Sequence, residues 1–192
     1  MDNQVWQNFY HRTLTLYPPQ AEKFLDSVQP NTFNQISFRY TFSVEAMTKV
    51  SYIIENAAIA NPGVANMHVS FQYLSRVLPQ QVRYDKVVRH AKGLWLYGIP
   101  DTDEVSNLLP RATLVDTKDS FLVNYWFVVA YGPGIGMSLL AEEIPALAGS
   151  DRYYEGFYTF EQDVAYQLIA ILHRIYPQRV PQPVPPEQLE NI

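Results

Sequence analysis

The run FLVNYWFVVAY, Phe121 to Tyr131, carries a single polar side chain, Asn124. Successive residues of a strand point to opposite faces, so a strand apolar at nearly every position must be covered on both sides. This run therefore belongs in the middle of a sheet with helices above and below it. GPGIG, Gly132 to Gly136, follows at once. It admits two readings, a phosphate-binding loop or a hairpin turn. A dinucleotide loop needs glycine at its first, third and sixth positions, and the sixth is Met137. A P-loop needs lysine followed by serine or threonine, and Gly136 is followed by Met137-Ser138. Gly132-Pro133-Gly134 has turn residues between apolar segments, and Met137 to Ala141 can return as the partner strand.

Other periodicities supply the rest of an α/β domain, with α+β as the alternative arrangement. Val5, Trp6, Phe9, Tyr10, Thr13, Leu14 and Tyr17 form one stripe of a helix closed by Pro18-Pro19, expected to pack as an arm or lid. Ser43 can cap a helix that buries Val44, Met47, Val50, Ile54 and Ala57 or Ala58. Val69, Phe71 and Tyr73 alternate as a strand does, and Pro79 suits the start of a helix bearing Tyr84, Val87, Val88 and Ala91. Leu94 to Ile99 is a short buried strand, and Ala112 to Val115 a weaker one. In TFEQDVAYQLIAILHRIY, Thr159 and Gln162 have capping-box spacing ahead of the inward residues Val164, Leu168, Ile171 and Ile175. The expectation is one mixed sheet of about five strands with helices on both faces. Residues 1–39 form a helical extension, 40–176 the domain, and 177–192, with five prolines in sixteen residues, an extended or disordered tail.

Composition narrows the chemistry. A net charge of -5 and a pI near 5.3 speak against binding nucleic acid through overall charge. The absence of cysteine removes disulfides, thiolate metal sites and cysteine nucleophiles, and fits a cytoplasmic setting. MDNQVWQNFY lacks the basic and apolar parts of a signal peptide, and no stretch approaches the ~20 apolar residues of a membrane span. His11, His68, His90 and His173 are scattered, so no metal site and no cofactor is indicated, and no serine sits in a G-x-S-x-G elbow. IPDTDE places Asp101, Asp103 and Glu104 beyond a buried strand, where magnesium-binding carboxylates of an enzyme could stand; the plainer reading is a proline turn and a helix cap. Arg76, Arg83, Lys86, Arg89, His90 and Lys92 make a local basic surface, either an anion site or a solvated helix face. Aromatic residues are 14% of the chain. Most belong to the core, but tryptophan offers a stacking face and arginine a planar fork, so Trp95, Trp126, Arg83 and Arg152 are the candidate lining of a small-molecule pocket.

The order of segments resembles the DICT sensory domain of bacterial signalling proteins, many of them cyanobacterial. The segments are TFSVEAMTKVSYIIENAAIA, VRYDKVVRHA, LWLYGIPD, YWFVVAYGPG and DRYYEGFYTFEQDVAYQLIAIL. The Arg152 to Phe160 block carries most of the likeness, which spans roughly residues 40 to 175. The resemblance implies a sensory or regulatory role without catalysis, and brings no set of ligand residues with it. Such domains often stand beside a cyclase or kinase, and none is present here, so the signal is expected to leave through contact with another signalling or regulatory protein. The N-terminal helix and the tail, where Pro183 and Pro186 frame a P-x-x-P, are the expected contact surfaces. A small-molecule ligand and a second copy of the chain are the other partners to consider, with neither nucleic acid nor membrane among them.

Overall fold

The computed structural model describes residues 2–145 and 151–189. In chain order its elements are α1 (Asp2–Leu14), β1 (Pro19–Gln20), α2 (Phe24–Ser27), β2 (Phe38–Ser43), α3 (Val44–Ala60), β3 (Asn66–Tyr73), α4 (Gln81–His90), β4 (Gly93–Ile99), α5 (Glu104–Leu108), β5 (Thr113–Asp116), β6 (Tyr125–Gly132), β7 (Ile135–Ile144), β8 (Tyr153–Thr159), α6 (Gln162–Ile175) and α7 (Pro186–Leu189). Short 3-10 turns at Pro30–Asn34, Leu74–Gln80 and Phe121–Asn124 join some of them. One mixed sheet runs β1-β2-β8-β7-β6-β3-β4-β5. β1 with β2, β3 with β4, and β4 with β5 are parallel, and the other neighbours antiparallel.

The apolar run lies where its composition requires, with β6 between β7 and β3 near the centre of the sheet. Alternation then divides its side chains. Val128 and Ala130 join the core under α3 and α4, while Tyr125, Phe127, Val129 and Tyr131 join a second core under α1 and α6. Gly132 pairs with Ile135, leaving Pro133-Gly134 as a two-residue turn whose Gly134 has φ of 70°. The hairpin reading of the glycine-rich stretch is the one realised. Ser43 also caps α3, accepting from the Ala46 amide at 3.4 Å.

The sheet has eight strands among the described residues, where the sequence reading gives about five. β1 is only two residues long and has too little sequence to show a period. β2 and β8 are the larger omissions. Phe38, Tyr40 and Phe42 alternate with Arg39 and Thr41, a usable strand signal, and pair with YYEGFYT of β8 in register Phe38↔Tyr158. β8 ends on Thr159, whose hydroxyl accepts from Tyr17 at 3.2 Å and from the Glu161 amide at 3.1 Å. The strand thus claims the residue that capping-box spacing assigns to a helix, and α6 begins at Gln162 instead. Similarly, Phe121–Asn124 form a 3-10 turn before β6 rather than its first residues.

Neither terminal segment stands apart. Trp6 of α1 is fully buried, with its ring 5.4 Å from Tyr125 and 5.7 Å from Phe127, and the Tyr10 hydroxyl donates to the Glu155 carbonyl at 2.7 Å. The first helix is a wall of the second core. The proline-rich segment turns after Tyr176, runs without regular structure through residues 181–185 and ends in α7, and it lies against the sheet instead of leaving it. Val180 is fully buried, the Trp95 indole N–H donates to the Arg179 carbonyl at 3.0 Å, and the Tyr131 hydroxyl donates to the Val184 carbonyl at 2.5 Å. Proline removes backbone donors but keeps its carbonyls, so side-chain donors can strap such a segment down without a strand ladder. Residues 190–192 of the tail lie outside the described residues. No helix among the described residues is long and apolar enough to cross a membrane.

Candidate functional site

The pairing of β3 with β4 becomes irregular between Ser70 and Tyr73. Within the irregularity Gln72 has φ of 57°, the one non-glycine residue with positive φ among those described. A side chain in the left-handed region costs of order 1–3 kcal/mol and persists only where the surroundings hold it. Here they do. The Gln72 amide nitrogen donates to Glu143 Oε2 at 2.6 Å, and its Oε1 accepts from both Arg76 and Arg152. Arg152 meets Glu143 at two points, Nε to Oε1 at 2.6 Å and Nη2 to Oε2 at 2.9 Å. The Tyr154 hydroxyl closes the ring, accepting from Arg152 and lying 3.5 Å from both Gln72 Oε1 and Glu143 Oε2. Hydrogen bonding from Arg152 holds the Glu143 carboxyl below its ordinary range, while burial pushes the Tyr154 hydroxyl up to about 12.

This network borders a cavity of about 180 Å³. Val44 and Thr48 of α3, Phe71 of β3 and Trp126 of β6 supply its less polar walls, and Ser70, Gln72, Arg76, Gln80 and Arg152 its polar ones. Trp126 is fixed in place: its indole N–H donates to Ser51 of α3 at 3.2 Å, and its ring meets Tyr154 edge to face at 5.4 Å. Among the described residues Arg76 has no carboxylate within ion-pair distance, and its only side-chain hydrogen-bond partner is the neutral Gln72.

Of the four residues singled out from the sequence, Trp126 and Arg152 line this cavity. Trp95 belongs to the other face of the sheet, stacked on buried His68 with ring centroids 4.6 Å apart and only 7° between their planes. Arg83 is used within the fold. It pairs with buried Glu55, donates to the Tyr52 carbonyl and Asn56 Oδ1 at 3.0 Å each, and lies 3.8 Å over the Tyr52 ring. Burial pushes the Glu55 carboxyl up, and Arg83 together with the Tyr84 hydroxyl, 2.6 Å away, pulls it back. Sequence reasoning passed over Gln72, Glu143 and Tyr154, and counted Arg76 only as part of a basic surface. The rest of that surface is partly neutralised locally, with Arg89 on Asp85 one helical turn away.

The IPDTDE acids follow the plainer reading in part. Asp101 accepts from the Ser75 amide at 2.9 Å and from its hydroxyl, and the Thr102 hydroxyl accepts from the Glu104 amide at 3.2 Å where α5 begins. Asp103 occupies the cap position of α5 without a side-chain hydrogen bond. Among the described residues no three acidic, histidine or cysteine side chains converge as a metal would require.

The described residues make a mixed α/β domain with an arginine-bordered cavity on one face of its sheet. In the comparison with family models, residues 25–144 match DICT, the sensory domain in diguanylate cyclases and two-component systems. The match covers more than half of the chain, and the chain belongs to the DICT family. It stops short of the Arg152 to Phe160 block, yet includes every cavity residue except Arg152. No curated protein and no solved structure matches the chain at a significant level.

Proposed function

We propose that the chain is a sensor without catalytic activity: a small molecule enters the cavity between Trp126, Arg76 and Arg152, and its presence is passed by contact to another signalling protein. The observation that carries this reading is Gln72, a strained residue whose side chain joins both arginines to Glu143. Strain at a residue that touches a cavity is a reservoir that binding can release. Gln72 lies two residues before the Leu74–Gln80 turn that leads into α4, so a change in its backbone is handed on to that turn. Tyr73 and Val82 flank that turn with exposed apolar side chains, Val82 at 77% exposure, and they offer the contact surface for the partner. The absence of catalysis is supported by the acids near the cavity. Glu143 is committed to Arg152 and Gln72, and Asp101 to Ser75.

Native mass spectrometry of protein purified from its source cells tests this. We expect wild-type chain to carry one small-molecule adduct that Trp126→Ala loses, and the same spectra give the number of chains per particle. Bare wild-type protein, or an adduct that the chain converts to product at a steady rate, would contradict the proposal.

A further inference from the structure

Resting on the reading of this cavity as a ligand site, we infer that its occupant is a singly charged carboxylate carried on one planar, largely apolar ring. Charge comes first. Two guanidiniums border the cavity, but Arg152 is matched by the two-point contact with Glu143. Arg76 is left as one cation without a carboxylate partner among the described residues. Glu143 and Asp101 lie near enough to feel the Arg76 charge, but neither touches it among the described residues, so its planar fork has room for one carboxylate. A dianion would bring a second charge towards Glu143, where repulsion opposes it.

Size comes next. A dry cavity of about 150 Å³ holds one benzene ring in another protein, and drug-sized ligands need about 300 Å³ or more. About 180 Å³ therefore accommodates a single ring with a small polar group, and not a nucleotide. The walls agree. The one hydrogen-bond donor of Trp126 is already given to Ser51, so its indole has only carbon surface left to offer, as do Phe71 and Val44. A ring needs nothing more from them. Arginine's planar fork matches a carboxylate with two parallel hydrogen bonds, which the single amide oxygen of Gln72 cannot supply.

The same geometry gives the ligand its effect. Gln72 Oε1 is shared between Arg76 and Arg152, with the Tyr154 hydroxyl also at 3.5 Å. A ligand carboxylate that takes over Arg76 releases Gln72 from one of the contacts holding its backbone at φ of 57°.

Calorimetric titration of the full chain with benzoate, benzamide and phenyl phosphate separates the alternatives. We expect benzoate to bind, and benzamide, its neutral counterpart, and phenyl phosphate each to bind at least tenfold more weakly. Arg76→Met should lose at least tenfold for benzoate with little change in melting temperature, because among the described residues its side chain meets only the partly exposed, neutral Gln72 and the exposed Tyr73 ring, 5.1 Å away. Arg76→Lys should recover part of the loss. Benzamide or phenyl phosphate binding as well as benzoate, benzoate binding that is indifferent to Arg76→Met, or silence from all three probes would overturn the assignment. None of these results would remove a Trp126-dependent adduct seen on protein from source cells, so the site can survive the failure of this ligand class.

Discussion

Arg83→Met is expected to lower stability by about 3–5 kcal/mol, because it leaves Glu55 buried without its cation. Glu55 has 1% of its side chain exposed and Arg83 22%, so water cannot take the place of the missing partner. In a chain of this length the loss corresponds to a fall of roughly 10 °C in melting temperature. Adding Glu55→Gln should restore more than half of it, since the amide can keep the Tyr84 hydroxyl company without a charge to bury. Thermal unfolding of the single and double variants measures both effects. The experiment also separates two roles for this arginine. A residue kept for an external anion would leave the melting temperature in place when removed, and the double variant would then be no better than the single.

The second large effect is on pH dependence. His68 is buried beneath Trp95, with Nδ1 2.8 Å from the Tyr97 hydroxyl, and burial depresses its pKa from 6.5 to about 3. Between those values the unfolded chain holds a proton that the folded chain refuses. Stability therefore falls as the pH drops below 6.5, and goes on falling towards 3. By pH 5 the loss from this residue amounts to about 2 kcal/mol. Glu55 works in the opposite sense, because its raised pKa lets the folded state take up a proton more readily than the unfolded one. Glu143, held low by Arg152, adds to the loss below its ordinary value of 4.5. The interval from pH 6.5 to 5 is thus where His68 is most visible. Urea unfolding across it should show a slope that His68→Gln, which keeps a polar partner for Tyr97, largely removes.

The sequence shows which segments are strands and helices better than it shows which side chains meet. Trp126 and Trp95 illustrate this. Alternation says that each points to one face of the sheet, but comparing them needs the register across β3. Val69 lies opposite both Val128 and Leu96, so Trp126 shares their face and Trp95, beside Leu96, takes the other. Nothing in either strand alone carries that information. Arg83 has the charge and the chemistry of a ligand residue, but the acid that occupies it lies 28 residues earlier on another helix. Gln72 left no mark at all, since an amide in an alternating strand looks like an outward residue until the bulge turns it. β2, in contrast, is legible: Phe38, Tyr40 and Phe42 keep the two-residue period, though over a shorter run than β6.

The chain has three tryptophans, and the structure puts them in three environments: Trp6 in the core under α1, Trp95 beneath the proline-rich strap, and Trp126 at the cavity. Their indole N–H signals in a nitrogen-proton correlation spectrum are three separate reporters. On addition of small-molecule extract from the source cells, the Trp126 signal should shift while those of Trp6 and Trp95 stay in place. A shift confined to Trp95, or three signals unmoved by any extract, would contradict the assignment of the Trp126 cavity as the place where this domain reads its input.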